Sequence, residues 1–186
     1  MAEARVLYVS GSPRRDGNTE ILLECARAIT GGELIRLAEL SFEPCRSCWA
    51  CRRNGKCMIQ DDLCPVLKRL EEADALVIGS PVHFNNVSTL TKAFMDRTWP
   101  LRGRLRNKVG GAIVVGRRYG AESAITAIHA FFLKHEMIVG HRGVTGIAYA
   151  AGEILEDEEA LRATEALASR VLELCALVAG DAGRGT

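Results

Sequence analysis

The chain has 186 residues, of which 48% are hydrophobic and 25% are charged, and its formal net charge is +1 at pH 7. This length predicts one domain with a sizeable core, and the small net charge argues against nucleic acid or an anionic membrane as a partner. No apolar run reaches transmembrane length, and the first residues do not resemble a signal peptide, so we expect a cytoplasmic protein.

Strands and helices are predicted to alternate along the chain. The predicted strands are the apolar stretches Arg5–Ser10, Glu33–Leu37, 75–80 and 110–116, followed by two short extended pieces, Met137–Gly140 and Gly146–Ala150, that the loop around His141 splits. Helical spacing predicts helices at Thr19–Ala28, Asp61–Glu72, Asn86–Arg97, 121–136 and Glu153–Val178. Apolar strands that alternate with helices are typical of a parallel sheet covered on both faces. The pattern predicts an α/β fold, a flavodoxin-like, doubly wound sheet of five parallel strands, in a single domain of residues 1–180 with a disordered tail at 181–186.

The loop after the first strand, SGSPRRDGNTE, connects a strand to a helix. Ligands of doubly wound sheets bind outside the carboxyl ends of the strands, and the free N–H groups at a helix start attract anions. Ser12, Asn18 and Thr19 offer hydrogen-bond donors, and Arg14 offers charge-assisted ones. The loop predicts a phosphate site, although it has neither a Walker A nor a dinucleotide fingerprint. The alternative is a turn in which Asn18 or Thr19 caps the helix.

Residues 39–60 show no clear period and contain the run CRSCWACRRNGKC. A long irregular stretch in a compact domain is usually functional. The cysteines follow the spacing C-x2-C-x2-C-x5-C, at Cys45, Cys48, Cys51 and Cys57. Three thiolates spaced in this way can wrap a multi-iron core, as in bacterial ferredoxins. Because no second set of cysteines exists, we expect Cys57 to complete the same cluster.

Two other roles for the clustered thiols stay open. A structural zinc site usually takes two C-x2-C pairs from separate segments, and this run has no second segment. Reactive or redox-active thiols are the other alternative, since neighbouring cysteines can exchange disulfides and Arg46, Arg52 and Arg53 would lower the thiol pKa values. The odd total of seven cysteines argues against a disulfide framework.

Two later loops are expected at the same edge of the sheet. GSPVHFNN follows the third strand, and its His83 and Phe84 offer flat surfaces beside the polar Asn85. VGRRYGAE follows the fourth strand and supplies glycines, two arginines and Tyr119. Beside a phosphate loop, these segments suit the walls of a site for a planar ring.

Three stretches together resemble the flavin-contacting segments of the NADPH-dependent FMN reductase family, whose fold is flavodoxin-like: SGSPRRDGNTE, ADALVIGSPVHFNNVSTLTKAFMDR and VGRRYGAESA. The segment between the first two, CRSCWACRRNGKCMIQDD, resembles the cysteine segment of the iron–sulfur flavoproteins, a branch of that family. The resemblance extends from about residue 5 to residue 140. Two positions depart from it. His83 stands where many members carry Tyr, and Tyr119-Gly120 stands where the branch often has His-Gly.

The resemblance implies an electron-transfer flavoprotein with FMN and a [4Fe–4S] cluster. It implies that the FMN phosphate lies on Ser10, Ser12, Arg14, Asn18 and Thr19. The isoalloxazine ring would contact Ser80, Pro81, Val82, His83, Phe84 and Asn85, together with Gly116, Arg117, Tyr119 and Gly120. The cluster ligands would be Cys45, Cys48, Cys51 and Cys57.

The resemblance also implies ferredoxin as an electron donor and a homodimer or homotetramer as the assembly. Two alternatives remain from the sequence. One is an NAD(P)H-dependent FMN or quinone reductase whose cysteines hold no cluster. The other is a non-catalytic regulatory module that binds zinc or flavin.

Overall fold

The computed structural model describes residues 4–182. Six strands form one sheet: β1 (Val6–Ser10), β2 (Glu33–Arg36), β3 (Ala75–Pro81), β4 (Val109–Gly116), β5 (Ile138–Val139) and β6 (Val144–Ile147). The α-helices in this part of the chain are α1 (Asn18–Thr30), α2 (Ala50–Asn54), α3 (Leu63–Glu72), α4 (Thr89–Arg97), α5 (Ala121–Lys134) and α6 (Glu158–Ala182). Short 3-10 turns occur at Leu37–Glu39, Trp99–Leu101 and Glu153–Glu156.

The sheet is parallel throughout, in the order β2-β1-β3-β4-β5. Both β5 and β6 pair with β4, through Ile138 opposite Val109 and Val144 opposite Ile113. They are therefore two pieces of one interrupted fifth strand, separated by residues 140–143, of which Gly143 has a φ of 92°. This strand order is that of the flavodoxin-like doubly wound sheets, which confirms the predicted fold class.

Both faces of the sheet are buried. In β1, Leu7 and Val9 belong to the core layer that α3, α4 and α5 cover, whereas Val6 and Tyr8 belong to the layer that α1 and α6 cover. Residues that alternate along a strand point to opposite faces, so a strand covered on both sides must be apolar at every position. The uninterrupted apolar runs of the sequence follow from this requirement.

Helix α4 begins at Thr89 rather than at Asn86, where the spacing predicted its start. The chain first makes a tight turn in which the N–H groups of His83 and Asn86 each donate to the other residue's carbonyl, at 2.8 and 3.0 Å. Ser88 then caps the helix, since its Oγ accepts a hydrogen bond from Thr91 N at 3.1 Å. The turn places residues 83–86 outside the helix.

The final helical segment is divided at Asp157. The 3-10 turn Glu153–Glu156 precedes it, and α6 follows with Asp157 Oδ1 accepting from Ala160 N at 3.0 Å. Helix α6 continues to Ala182, and the rest of the expected tail, residues 183–186, lies outside the described residues. Among the helices that the structure describes, none combines the length and the hydropathy needed to cross a membrane.

Candidate functional site

Four loops leave the same edge of the sheet at its carboxyl end. The loops after β1, β3 and β6 start with a hydrogen bond to the neighbouring strand: Gly11 N donates to Gly79 O at 2.8 Å, Val82 N to Val115 O at 2.9 Å, and Ala148 N to Gly116 O at 3.0 Å. These bonds fix where each loop departs relative to its neighbour. The loops after β1, β3, β4 and β6 therefore surround a common space.

The loop after β1 is held against the start of α4. Ser88 Oγ donates to Gly11 O at 2.6 Å. A Cβ atom at Gly11 would lie 1.8 Å from Thr91 Oγ1, so glycine is required there by close packing. The backbone of this loop is thus positioned before any ligand binds.

The loops enclose a cavity of about 310 Å³, which we call the edge cavity. Its volume is at the lower end of the range for small-molecule sites. It is lined by Ser12, Pro13, Arg14, Gly17, Asn18, Thr19, Pro81, Val82, His83, Val115, Gly116, Arg117, Ala148 and Tyr149. Two arginines and a histidine belong to this lining, and no carboxylate does, so the electrostatics favour an anionic ligand.

The first turn of α1 faces this lining with Gly17, Asn18 and Thr19. No side chain within the described residues caps this turn, and the first intrahelical bond is donated by Glu20 N to Gly17 O at 2.8 Å. The N–H groups that precede Glu20 therefore have no intrahelical acceptor and are available to an anion. The alternative in which Asn18 or Thr19 caps the helix is not what the structure shows.

Nine of the fifteen residues predicted to contact the cofactor line the edge cavity: Ser12, Arg14, Asn18, Thr19, Pro81, Val82, His83, Gly116 and Arg117. Ser10 and Ser80 are buried beneath the lining, and Ser80 Oγ accepts from Ser88 N at 2.9 Å. Phe84, Asn85, Tyr119 and Gly120 lie outside the lining. Asn85 and Gly120 are in contact, since a Cβ atom at Gly120 would lie 2.4 Å from Asn85 Cα.

Some polar side chains of the loop after β1 form hydrogen bonds to other parts of the protein. Asn18 Nδ2 donates to Ala150 O at 2.7 Å, and its Oδ1 accepts from Gly152 N at 2.8 Å. Asn18 therefore ties α1 to the loop after β6, and its backbone N–H is the group left for an anion. Arg15 bonds Glu39 through Nε at 2.9 Å. Arg14 is exposed at the cavity and makes no ion pair within the described residues.

Sequence reasoning missed the contribution of the loop after β6. Ala148 and Tyr149 line the edge cavity, and the N–H groups of Tyr149 and Ala150 donate to Glu153 Oε2 at 2.6 and 2.5 Å. These two bonds lower the pKa of Glu153. The available signal was the run IAYAAG, which follows the last strand at the carboxyl edge.

The cysteine-rich segment forms a loop whose two ends are joined. Ser41 N donates to Asp62 Oδ2 at 2.8 Å, and Glu43 N donates to Asp61 Oδ2 at 3.1 Å. Arg97 from α4 binds across this junction and donates to Glu43 O at 2.6 Å and to Asp61 Oδ2 at 2.7 Å. The loop between residues 43 and 61 is therefore closed at its base by protein groups alone.

Cys45, Cys48, Cys51 and Cys57 line one small cavity of about 30 Å³, which we call the cysteine cavity. Ser47 and Trp49 have φ values of 52° and 59°, and these left-handed residues separate the first three cysteines. Such conformations are uncommon for residues other than glycine and cluster at functional sites. The apolar part of the lining is formed by Trp49, Met58, Ile59, Trp99 and Pro100.

All seven cysteines are free thiols. Burial raises the pKa of Cys51, and the nearby charges of Cys45 and Cys57 act in the same direction. The expectation that neighbouring arginines lower the thiol pKa is therefore wrong at Cys51, and Arg46 is instead paired with Glu43. In the described part of the chain, no three His, Cys, Asp or Glu side chains converge as a site for a single metal ion.

Sequence reasoning also missed Arg97. Its side chain is only 1% exposed, and it lines the cysteine cavity. The signal was its position on α4, where Thr91, Phe94 and Arg97 share a buried face at helical spacing. An arginine in place of an apolar residue on such a face needs an anionic or carbonyl partner inside the protein.

Similarity to known proteins agrees with this architecture. The sequence matches the model of the NADPH-dependent FMN reductase family over residues 4–152. An iron-sulfur flavoprotein of Methanocaldococcus jannaschii is 43% identical over 190 residues, covering 94% of this chain and 98% of that protein.

Solved structures show the same fold. RosB, with the bound intermediate 8-demethyl-8-formylriboflavin-5'-phosphate, is similar at a TM-score of 0.80 and 16% identity, covering 95% of this chain and 81% of that one. A flavodoxin from the domain Archaea has a TM-score of 0.60 and 17% identity, covering 90% of this chain and 98% of that one. The strand order, the matched family model and the 43% identical relative all agree. The chain therefore belongs to the iron–sulfur flavoprotein branch of the NADPH-dependent FMN reductase family and is a flavin-dependent oxidoreductase of flavodoxin-like fold.

Proposed function

We propose that this protein binds FMN in the edge cavity and a [4Fe–4S] cluster in the cysteine cavity. In this proposal it passes electrons between a ferredoxin-like one-electron donor and an acceptor that reduced flavin can reduce. The observation that carries the proposal is that four free thiols line one cavity, in a chain whose sheet edge carries a cationic cavity. Cofactors supply the redox chemistry that side chains lack.

The residues of the edge cavity fit a flavin mononucleotide. Arg14 and the uncapped start of α1 can bind a phosphate, because they provide a charge-assisted donor and backbone N–H groups. Val82, His83 and Tyr149 provide flat or apolar surface on other parts of the lining. The lining has no carboxylate that would repel the phosphate.

The cysteine cavity fits an iron–sulfur cluster by its donor set and its surroundings. Four thiols with ferredoxin-like spacing are the ligands that such clusters take. Trp49, Trp99 and Ile59 provide an apolar shell, which limits water around a metal site. Arg97 Nε is buried and has no hydrogen-bond partner among the described residues, and a buried donor of this kind suits an acceptor that the protein itself does not supply.

Bound FMN and a [4Fe–4S] cluster would supply one- and two-electron redox chemistry. The protein's own part is to bind and orient them. Arg14 and α1 hold the phosphate, and the Ser88 contact to Gly11 fixes the phosphate loop. Asp61 and Arg97 keep the ends of the cysteine loop together, so that the four thiols stay near one another before a cluster is bound.

The proposal includes a homodimer or homotetramer in the cytoplasm. Several large apolar side chains near the two cavities are exposed, namely Trp49, Met58, Phe84, Tyr119, Ile147 and Tyr149. A second copy that covers them would bring one chain's cysteine loop toward another chain's edge cavity. Light scattering measures the assembly, and a monomer at micromolar concentration would rule it out. Seven free thiols suit a reducing compartment.

A second candidate function is an NAD(P)H-dependent FMN or quinone reductase without a cluster. The matched family is described as NADPH-dependent, and Arg117 adds positive charge to the edge cavity that suits a nucleotide phosphate. This reading requires flavin in the purified protein but no iron. Iron and sulfide analysis of anaerobically purified protein separates the two functions.

The Arg14→Ala variant tests FMN binding through its phosphate. We expect it to weaken FMN binding by roughly 1.5–3 kcal/mol, or about 10- to 150-fold, because a charge-assisted hydrogen bond is lost. Riboflavin, which lacks the phosphate, should bind the variant and the wild type equally. Fluorescence titrations of the apoprotein with both ligands measure this. Arg15→Ala is the matched control, since Arg15 is engaged by Glu39, and equal losses for FMN and riboflavin would show that the phosphate lies elsewhere.

A further inference from the structure

Arg97 has more hydrogen-bonding capacity than the protein around it uses. Its Nη1 donates to Glu43 O at 2.6 Å and to Asp61 Oδ2 at 2.7 Å, and its Nη2 donates to Asp61 Oδ1 at 3.0 Å and to Ile59 O at 3.3 Å. Its Nε is buried and has no partner within the described residues. Leaving a buried donor unpaired is costly, about 1–3 kcal/mol.

The guanidinium is adjacent to Cys57. Both side chains line the cysteine cavity. Burial acts to lower the pKa of Arg97. The hydrogen bonds to Asp61 and the interaction with Cys57 act in the opposite direction and are stronger, so the pKa of Arg97 is raised. The bidentate bond to Asp61 occupies Nη1 and Nη2, which leaves Nε as the free donor on the side chain that borders the thiols.

We propose that Arg97 donates an Nε–H hydrogen bond to the Cys57 sulfur of the bound cluster and thereby raises the reduction potential of that cluster. The proposal rests on the proposed function, because it requires the four cysteines to hold an iron–sulfur cluster. It assigns Arg97 as a positioning and tuning residue, held in place by Asp61, and it names the Nε–H as the group that acts.

The physical reason is the charge that the cluster gains on reduction. Hydrogen bonds to the sulfurs and net positive charge nearby both favour the more negative, reduced state, and they are among the factors that set cluster potentials. Their influence is larger in a site shielded from water. Arg97 is 1% exposed, whereas Arg46, which lines the same cavity, is 64% exposed and paired with Glu43.

A purely structural role for Arg97 is the competing explanation. In that case Arg97 only joins Glu43, Ile59 and Asp61 at the base of the loop. Its removal would then lower stability and cluster content, but clusters that did assemble would have an unchanged potential. The potential of the assembled cluster is therefore the measurement that distinguishes the two roles.

The test compares Arg97→Lys with Arg46→Lys in the anaerobically purified holoprotein. Lysine keeps the positive charge but lacks both the Nε–H donor and the planar fork that bonds Asp61, so the change removes the proposed hydrogen bond without removing the charge. We expect Arg97→Lys to lower the equilibrium constant for cluster reduction about tenfold, which corresponds to a potential about 59 mV lower for a one-electron couple. Arg46→Lys should leave the potential unchanged. Potentiometric titration monitored by EPR measures both.

A measurement on the wild type complements the variant, in case Arg97→Lys does not assemble a cluster. Protein labelled with arginine that carries 15N at Nε and reduced with dithionite should show a 15N coupling to the cluster in pulsed EPR, because a hydrogen bond places Nε against a cluster sulfur. The coupling should persist in Arg46→Lys, which removes the other arginine of the cavity lining. Absence of any arginine coupling overturns the proposal. An equal reduction potential for Arg97→Lys and the wild type also overturns the proposal, but it does not affect the proposed function, because the cluster is still present. Wild-type protein without iron and sulfide would instead overturn the proposed function.

Discussion

Replacing Asp61 with alanine should lower the free energy of unfolding by about 3–5 kcal/mol, the usual cost of removing one partner from a buried ion pair. Arg97 would keep its charge but lose its bidentate acceptor. The side chains of Arg97 and Asp61 are only 1% and 11% exposed, so the guanidinium charge would be left largely buried without its partner. Chemical denaturation of the apoprotein, in the presence of a reductant, measures the change.

Asp96→Ala is the matched control for this prediction. Asp96 precedes Arg97 on α4 and pairs with Lys92, but these side chains are 47% and 58% exposed. A solvent-exposed pair at this helical spacing contributes about 0.3–0.5 kcal/mol. Equal destabilisation by Asp61→Ala and Asp96→Ala would contradict the assignment of Asp61 and Arg97 as the closure of the cysteine loop.

The contribution of Asp61 to the free energy of unfolding should also depend on pH. Burial works to raise the pKa of Asp61, but hydrogen bonds from Arg97 and from the N–H groups of Glu43 and Leu63 outweigh it and lower the pKa. A lowered pKa in the folded state contributes stability that is complete above the unfolded value, about 3.9, and is lost as the pH falls through the folded value. The difference between wild type and Asp61→Ala should thus be constant near neutrality and shrink below about pH 4.

The Cys48→Ala variant should lose the iron–sulfur cluster and keep the flavin. Cys48 lines the cysteine cavity with the other three thiols, and a [4Fe–4S] core takes four thiolate ligands. The edge cavity is formed by other loops, so FMN binding should not change. The visible spectrum should lose the broad cluster absorbance and retain the flavin bands.

Cys64→Ala is the control for Cys48→Ala. Cys64 lies outside the cysteine cavity, and its Sγ contacts Ile59 O at 3.4 Å. This variant should keep the wild-type iron content.

We also expect Cys48→Ala to slow flavin reduction by a ferredoxin-type donor more than flavin reduction by NADPH. Stopped-flow traces with each donor measure both rates. Equal rates of reduction by the ferredoxin-type donor in wild type and variant would contradict a role for the cluster in electron transfer.

Much of the site could be predicted because it depends on topology. Strands that are apolar at every position, in alternation with helices, predict a doubly wound sheet, and such a sheet places the loops after Ser10, Pro81 and Gly116 at one edge. The four clustered cysteines could be predicted to meet because all of them lie within a run of thirteen residues. Local residue spacing and strand direction were therefore sufficient to predict both the sheet edge and the cysteine cluster.

The remaining features depend on contacts between distant segments. Arg97 reaches Asp61 across 36 positions of the chain, and no local pattern specifies which anion a buried arginine will meet. Asn18 fits a phosphate loop by composition, yet its side chain bonds Ala150 and Gly152, more than 130 positions away. The start of α4 was misplaced because the turn at Phe84 and Asn85 uses left-handed conformations, which helical spacing does not reveal.

Cofactor analysis of wild-type protein purified without oxygen tests the central claim most directly. Iron, acid-labile sulfide, zinc and released flavin would be measured on the same sample together with the visible spectrum. We expect about four iron and four sulfide per chain, as a [4Fe–4S] cluster requires, together with FMN and no zinc. Protein that contains flavin but neither iron nor sulfide, or that contains zinc in place of iron, would contradict it.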